Sequence, residues 1–164
     1  MPNGRHDHAV EANASPADDA GTTPGFQTTV YSVDGENQPG GAAVITSHTS
    51  RIAFDGSAGS GGQIPGPADL LAAALAACIL KNVERFSVLL PFRYQRASIH
   101  VELERDEPPP RIVRARYALR IATDEPQRRL QLLERNILRS GTITNTLAAA
   151  CDLEGRILAE PTDN

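Results

Sequence analysis

The 164-residue sequence predicts an α+β domain in which antiparallel sheets pack against a long central helix and a second helix. Three observations lead there. The run Leu70 to Leu80 is apolar on every side and rich in alanine, the composition of a helix surrounded by protein and closely approached by its neighbours. Two later stretches alternate apolar and polar residues on either side of a proline-rich turn, the period of a sheet with one wet face. The segment order βββ-α-ββ-α-β excludes the regular strand–helix alternation of a doubly wound sheet.

In chain order, residues 1 to 25 hold Gly, Pro, Ser, Asp, Ala and Thr with almost no large apolar side chains, so a disordered tail is expected there and the domain is expected over residues 26–160. Apolar and β-branched residues from Phe26 to Val33 predict a first strand, closed by a turn at Asp34-Gly35. Ala42 to Ser47 and Arg51 to Phe54 continue an antiparallel meander. The glycine-rich stretch Asp55 to Gly62 lacks the Lys-Ser/Thr ending and the preceding buried strand of a phosphate cradle. Pro67 suits the first helical position and Asp69 the first turn, which predicts a long helix from Ala68 to Ser87. Ala97, Ile99, Val101 and Leu103 then share one strand face with Ser98, His100, Glu102 and Glu104 on the other. After Asp106 to Pro110 the chain returns with Val113, Ala115, Tyr117, Leu119 and Ile121 inward and Arg114, Arg116 and Arg120 outward. Thr123 to Pro126 has helix-start chemistry, and Leu130, Leu133 and Ile137 recur at helical spacing to about Arg139. Ser140-Gly141 ends that helix, Thr142 can cap a short helical segment through Leu147, and Cys151 to Ala159 alternates as a last strand.

Charge and composition narrow the function. A net charge of -4 gives no electrostatic basis for sequence-independent nucleic-acid binding. The acidity is concentrated at the front, where residues 1–60 carry seven acids against two arginines. The apolar run at Leu70 is well short of the roughly 20 residues that cross a bilayer, and the N-terminus has no basic segment followed by an apolar one, so neither membrane insertion nor secretion is expected and a cytoplasmic location follows. Cys78 and Cys151 match neither a disulfide framework nor a zinc spacing, and His6, His8, His48 and His100 have no metal-ligand company. No metal and no cofactor is expected.

Cys78 is the residue with chemistry to offer. Its plain reading is a small buried side chain in a tightly packed helix, which is common behaviour for free cysteine. Nucleophilic use needs a thiolate with a cation nearby. At about 100° per residue, Lys81 and Arg85 share the Cys78 stripe, yet Arg85 is two turns away, so a cation from another segment is the better candidate. Arg111, Arg114, Arg116 and Arg120 form a basic run, and cross-strand pairing with Glu102 and Glu104 accounts for it without an anion site.

Gly66-Pro67-Ala68-Asp69-Leu70-Leu71-Ala72-Ala73-Ala74-Leu75-Ala76-Ala77-Cys78 resembles the central-helix motif of the OsmC/Ohr superfamily. Gly141-Thr142-Ile143-Thr144-Asn145-Thr146-Leu147 is similar to its second motif, Cys-Pro/Thr-Val/Ile-Ser/Thr-Asn-Thr-Leu, in all but the first position. The resemblance spans roughly residues 26 to 160. It implies an intertwined homodimer with its two central helices packed together and its sites at the subunit interface. It also implies a thiol protein of oxidative-stress defence, peroxiredoxin-like in chemistry, whose Cys78 attacks organic hydroperoxides and becomes a sulfenic acid. An acidic residue near the helix start and an arginine from a distant strand hold the thiolate in the family; Asp69 and Arg51 are the candidates here. The family's second cysteine is replaced by Gly141, so its intrasubunit disulfide cannot form and an external thiol would be the reductant. The alternative is a non-enzymatic dimer that binds a small hydrophobic ligand at the interface, with Cys78 as packing.

Overall fold

The computed structural model describes residues 28–59 and 62–162. The tail expected over residues 1 to 25 lies outside them. All regular elements fall in the unit Val33–Asn164; in the preceding unit, Met1–Ser32, the described residues are 28–32 and carry no helix or strand.

The first sheet is an antiparallel meander of β1 (Asp34–Asn37), β2 (Ala42–Ser47) and β3 (Ser50–Asp55), in that order. Its first strand corrects the sequence expectation. Asp34 and Gly35 belong to β1 rather than to a turn, and the described part of the strand expected over Phe26–Val33 has no strand pairing. The reversal falls at Gln38–Gly41, where Gly40 and Gly41 have φ of +96° and +92° and the Gly41 N–H donates to Gln38 O at 3.0 Å. Two consecutive left-handed residues are cheap only for glycine, so Pro39-Gly40-Gly41 outcompetes the single glycine of Asp34-Gly35.

Helix α1 (Pro67–Leu89) follows with Pro67 at its first position and Asp69 in its first turn, as the sequence predicts. The second sheet has order β4 (Arg96–Asp106), β5 (Arg111–Ala122), β6 (Asp152–Glu160). The hairpin β4–β5 is antiparallel with the predicted faces. Helices α2 (Gln127–Ser140) and α3 (Thr142–Ala150) carry the chain across, so β6 joins β5 in parallel.

Each element buries the stripe that its periodicity marks. Leu75, Ile79, Val83 and Phe86 of α1 pack with Ala115, Tyr117, Leu119 and Ile121 of β5, with Leu130, Leu133 and Ile137 of α2 and with Leu147 of α3. A fully buried Leu or Ile contributes about 1.5–3 kcal/mol relative to exposure, so this cluster is what holds the helices to the sheet. Among the described residues the first sheet contributes nothing to the buried core, and Ile52 of β3 is exposed.

The outer face of the second sheet carries the expected pairing only in part, at Glu104: Glu102 lies 3.3 Å from His100 Nε2 instead, and β6 supplies the other carboxylates. Arg114 reaches Glu104 at 2.9 Å and Asp152 at 3.1 Å, and Arg116 pairs with Glu104 and, at 3.4 Å, with Glu154. These pairs are well exposed, so each is worth only about 0–1 kcal/mol, and they engage Arg114 and Arg116 without any ligand, as Glu160 does Arg120 at 3.6 Å. Among the described residues no helix is long and apolar enough to cross a membrane.

Candidate functional site

Helix α1 sets the site because its two faces differ. One buries Leu75, Ile79, Val83 and Phe86; the other leaves Ala73, Ala77 and Lys81 exposed in the single chain. The run expected to be surrounded by protein is therefore covered on one side only within one chain. Cys78 lies between these faces, half-buried and unpaired. One turn further on is Asn82, a polar side chain only 7% exposed on the core face of the helix. Its Nδ2 donates to the Cys78 carbonyl oxygen at 2.9 Å and lies 3.8 Å from Cys78 Sγ.

The other two residues expected at the thiolate are engaged or placed elsewhere in the single chain. The Asp69 carboxylate accepts the Gly66 N–H at 2.9 Å and so caps the start of α1. Nine residues of helix rise, roughly 13 Å, separate Asp69 from Cys78 along the axis. Asp69 also borders a cleft of about 500 Å³ between the first turn of α1 and residues Val101 to Glu104 of β4. Arg51 is exposed on β3, opposite Thr46 in the β2–β3 register. Among the described residues no hydrogen bond or ion pair links Cys78, Asp69 and Arg51. Lys81 is exposed on the turn after Cys78, while Arg85 stacks its guanidinium 5.6 Å from the Phe86 ring centre.

Cys151 takes the plain role. Its thiol donates to Leu147 O at 3.3 Å and its side chain packs on the margin of the core, closing α3 before β6 begins. Cys78 and Cys151 are both free.

Gly141, between α2 and α3, is buried with φ −78° and ψ 114°, a conformation open to any residue. Space is what restricts it: a Cβ added there would lie 2.6 Å from Thr144 Oγ1 and 2.9 Å from Thr144 Cβ. Thr144 is itself 2% exposed, and its hydroxyl finds no hydrogen-bond partner. The position where the resemblance places a second cysteine is thus filled by the side chain three residues on. Sequence reasoning passed over both Asn82 and Thr144. The available signal for Asn82 was an amide within the apolar stripe of a helix interior, where asparagine is disfavoured without a local reason.

Among the described residues no three His, Cys, Asp or Glu side chains are grouped closely enough to hold a metal ion. A groove of about 440 Å³ on the outer face of the second sheet is lined by His100, Glu102, Arg116, Glu154 and Arg156 over Ala118, amid the ion pairs already described.

Comparison with known proteins matches residues 59–155 to the family described as OsmC-like protein. No curated protein matches. Among solved structures, the OsmC-like protein of Mycoplasma pneumoniae superposes with a TM-score of 0.73 at 14% identity, covering 84% of this chain and all of its own. An organic hydroperoxide resistance protein from Legionella pneumophila gives 0.62 at 15% identity, covering 80% of this chain and 99% of its own. The organic hydroperoxide resistance protein OhrB of Bacillus subtilis gives 0.58 at 19% identity, covering 77% and 98%. At such identities these likenesses speak for the fold.

Proposed function

The chain belongs to the OsmC-like family, and from that premise we propose that it is a hydroperoxide-reactive thiol protein whose nucleophile is Cys78. The observation that carries this reading is a half-buried, unpaired thiol on the central helix with a hydrogen-bond donor beside its sulfur. In the proposed reaction the Cys78 thiolate attacks the outer oxygen of a hydroperoxide. An S–O bond forms, the O–O bond breaks, and the alcohol leaves after taking a proton, with Cys78 as sulfenic acid. An external thiol attacks that sulfur and expels water to give a mixed disulfide, and a second thiol releases Cys78. The filled position at Gly141 supports an external rather than an internal resolving thiol.

The protein is proposed to act as a homodimer. The face of α1 that exposes Ala73 and Ala77 and, among the described residues, a three-stranded sheet that adds nothing to the core are surfaces a second copy can cover. Any contact of Asp69 or Arg51 with the thiolate then depends on that second copy, because neither reaches it within one chain.

The closed second-cysteine position also favours a different reading, a non-enzymatic dimer that holds a small hydrophobic ligand at its interface. Consumption of cumene hydroperoxide and of hydrogen peroxide, with a monothiol or a dithiol as reductant, separates the two. The expected result is turnover of cumene hydroperoxide that disappears in Cys78→Ala. Absence of any Cys78-dependent consumption overturns the peroxidase reading and leaves ligand binding.

A further inference from the structure

We infer that Asn82 is a positioning residue for Cys78, its side-chain amide holding the sulfur as a thiolate in one orientation. The inference rests on the reading of Cys78 as a nucleophile and adds a residue that the OsmC/Ohr motifs quoted above do not contain.

The geometry is specific. Asn82 follows Cys78 by one helical turn, the spacing that brings two side chains onto one face. A primary amide has two N–H donors on one nitrogen and an acceptor oxygen opposite. The Cys78 carbonyl, 2.9 Å away, can only accept, so it fixes which end of the amide faces the helix. With one N–H committed there, the same nitrogen stands 3.8 Å from Cys78 Sγ with its second N–H to spare. That is a long contact for a neutral thiol. A thiolate is a stronger acceptor and draws such a donor in.

Burial makes the placement informative. Asn82 is 7% exposed, flanked on the core face by Ile79, Val83 and Phe86. An apolar side chain there would extend the core, and a helix-interior asparagine lowers helix propensity. Both costs have a counterpart if the amide serves the sulfur. Because the amide is anchored to backbone of its own helix, its position does not depend on a flexible loop or on a second chain. The charged groups nearest in sequence, Lys81, Glu84 and Arg85, are exposed on the same helix, and of the elements packed against it β4 and α2 turn apolar residues inward while α3 has no titratable side chain.

The test is the pH profile of Cys78 alkylation by iodoacetamide, with peptide mass spectrometry separating Cys78 from Cys151, in wild type and Asn82→Leu. The expected change at pH 7 is a loss of about tenfold, the size of effect of one hydrogen bond to a charged group. At high pH the variant's limiting rate should equal or exceed that of wild type, because a thiolate relieved of its donor is the better nucleophile. The two profiles therefore cross. A merely structural role would lower or raise the rate at every pH without a crossing, and that result overturns the inference. If Asn82→Leu fails to fold, Asn82→Ala removes the same donor with the best helix-forming residue. A Cys78 that reacts readily but with the same profile in both proteins overturns the role of Asn82 alone. A wild-type Cys78 that alkylates only in denaturant overturns the nucleophile reading along with it.

Discussion

Gly141 marks the difference between backbone demand and space. Its dihedral angles suit any residue, yet Thr144 Oγ1 would meet a Cβ at 2.6 Å. Replacing it with cysteine therefore overpacks the junction of α2 and α3. Gly141→Cys should lose about 1–3 kcal/mol of stability, read as a lower midpoint in urea. Thr144→Ala in that background should recover part of the loss, because it removes the nearer atom and leaves the 2.9 Å contact at Cβ. An unchanged midpoint for Gly141→Cys would mean that Thr144 moves aside freely. The sequence shows that the cysteine is missing; the occupant of its space is visible only in three dimensions, because Thr144 reaches Gly141 across the first turn of a helix.

At the scale of elements, the connection that leaves α1 for β4 is tied to the first turn of α2 by one arginine. Arg129 donates to Leu90 O at 2.6 Å and to Pro91 O at 2.7 Å. Its Nε stands 2.7 Å from Glu125 Oε2 but off the hydrogen-bonding line, so the atom is in ionic contact while lacking an aligned hydrogen bond. Glu125, 11% exposed at its side chain, in turn accepts the Arg93 N–H at 3.1 Å. Arg129→Ala should cost about 1–3 kcal/mol by leaving a carboxylate and two carbonyls short of a donor, whereas Arg129→Lys should restore only part, since an ammonium lacks the planar fork. Urea unfolding with an unchanged slope would check both; equal stability of wild type and Arg129→Ala would remove the tie. Sequence periodicity located both helices. It gave no hint of Arg129, because the contact joins residues 38 and 39 positions apart across a turn whose shape is tertiary.

For the whole molecule, the uncovered surfaces decide what to expect. The small-residue face of α1 permits close approach of another helix, and a glutamate at Ala77 would place a charge in that contact. The wild-type protein should sediment at twice its 17.5 kDa chain mass, and Ala77→Glu should shift it toward the single chain. A wild-type protein that stays monomeric at micromolar concentration would rule out the shared-site part of the proposal. The sequence marked α1 for burial on all sides, and one chain supplies a single side of it.

Local and periodic information was sufficient for α1, for both faces of the β4–β5 hairpin, for the arginine pairing at Glu104 and for the stripe that α2 buries, because each depends on residues a few positions apart or on directly facing strands. The two family motifs likewise lie in continuous segments, which is why Cys78 stood out from the sequence alone. Tertiary structure alone decided which side of α1 one chain covers, the parallel docking of β6 on β5 and the hold of Arg129 on Leu90 and Pro91. Each of these joins segments far apart in the chain or waits on what packs against them, and such contacts are settled by distances in the folded chain rather than by the pattern of residues along it.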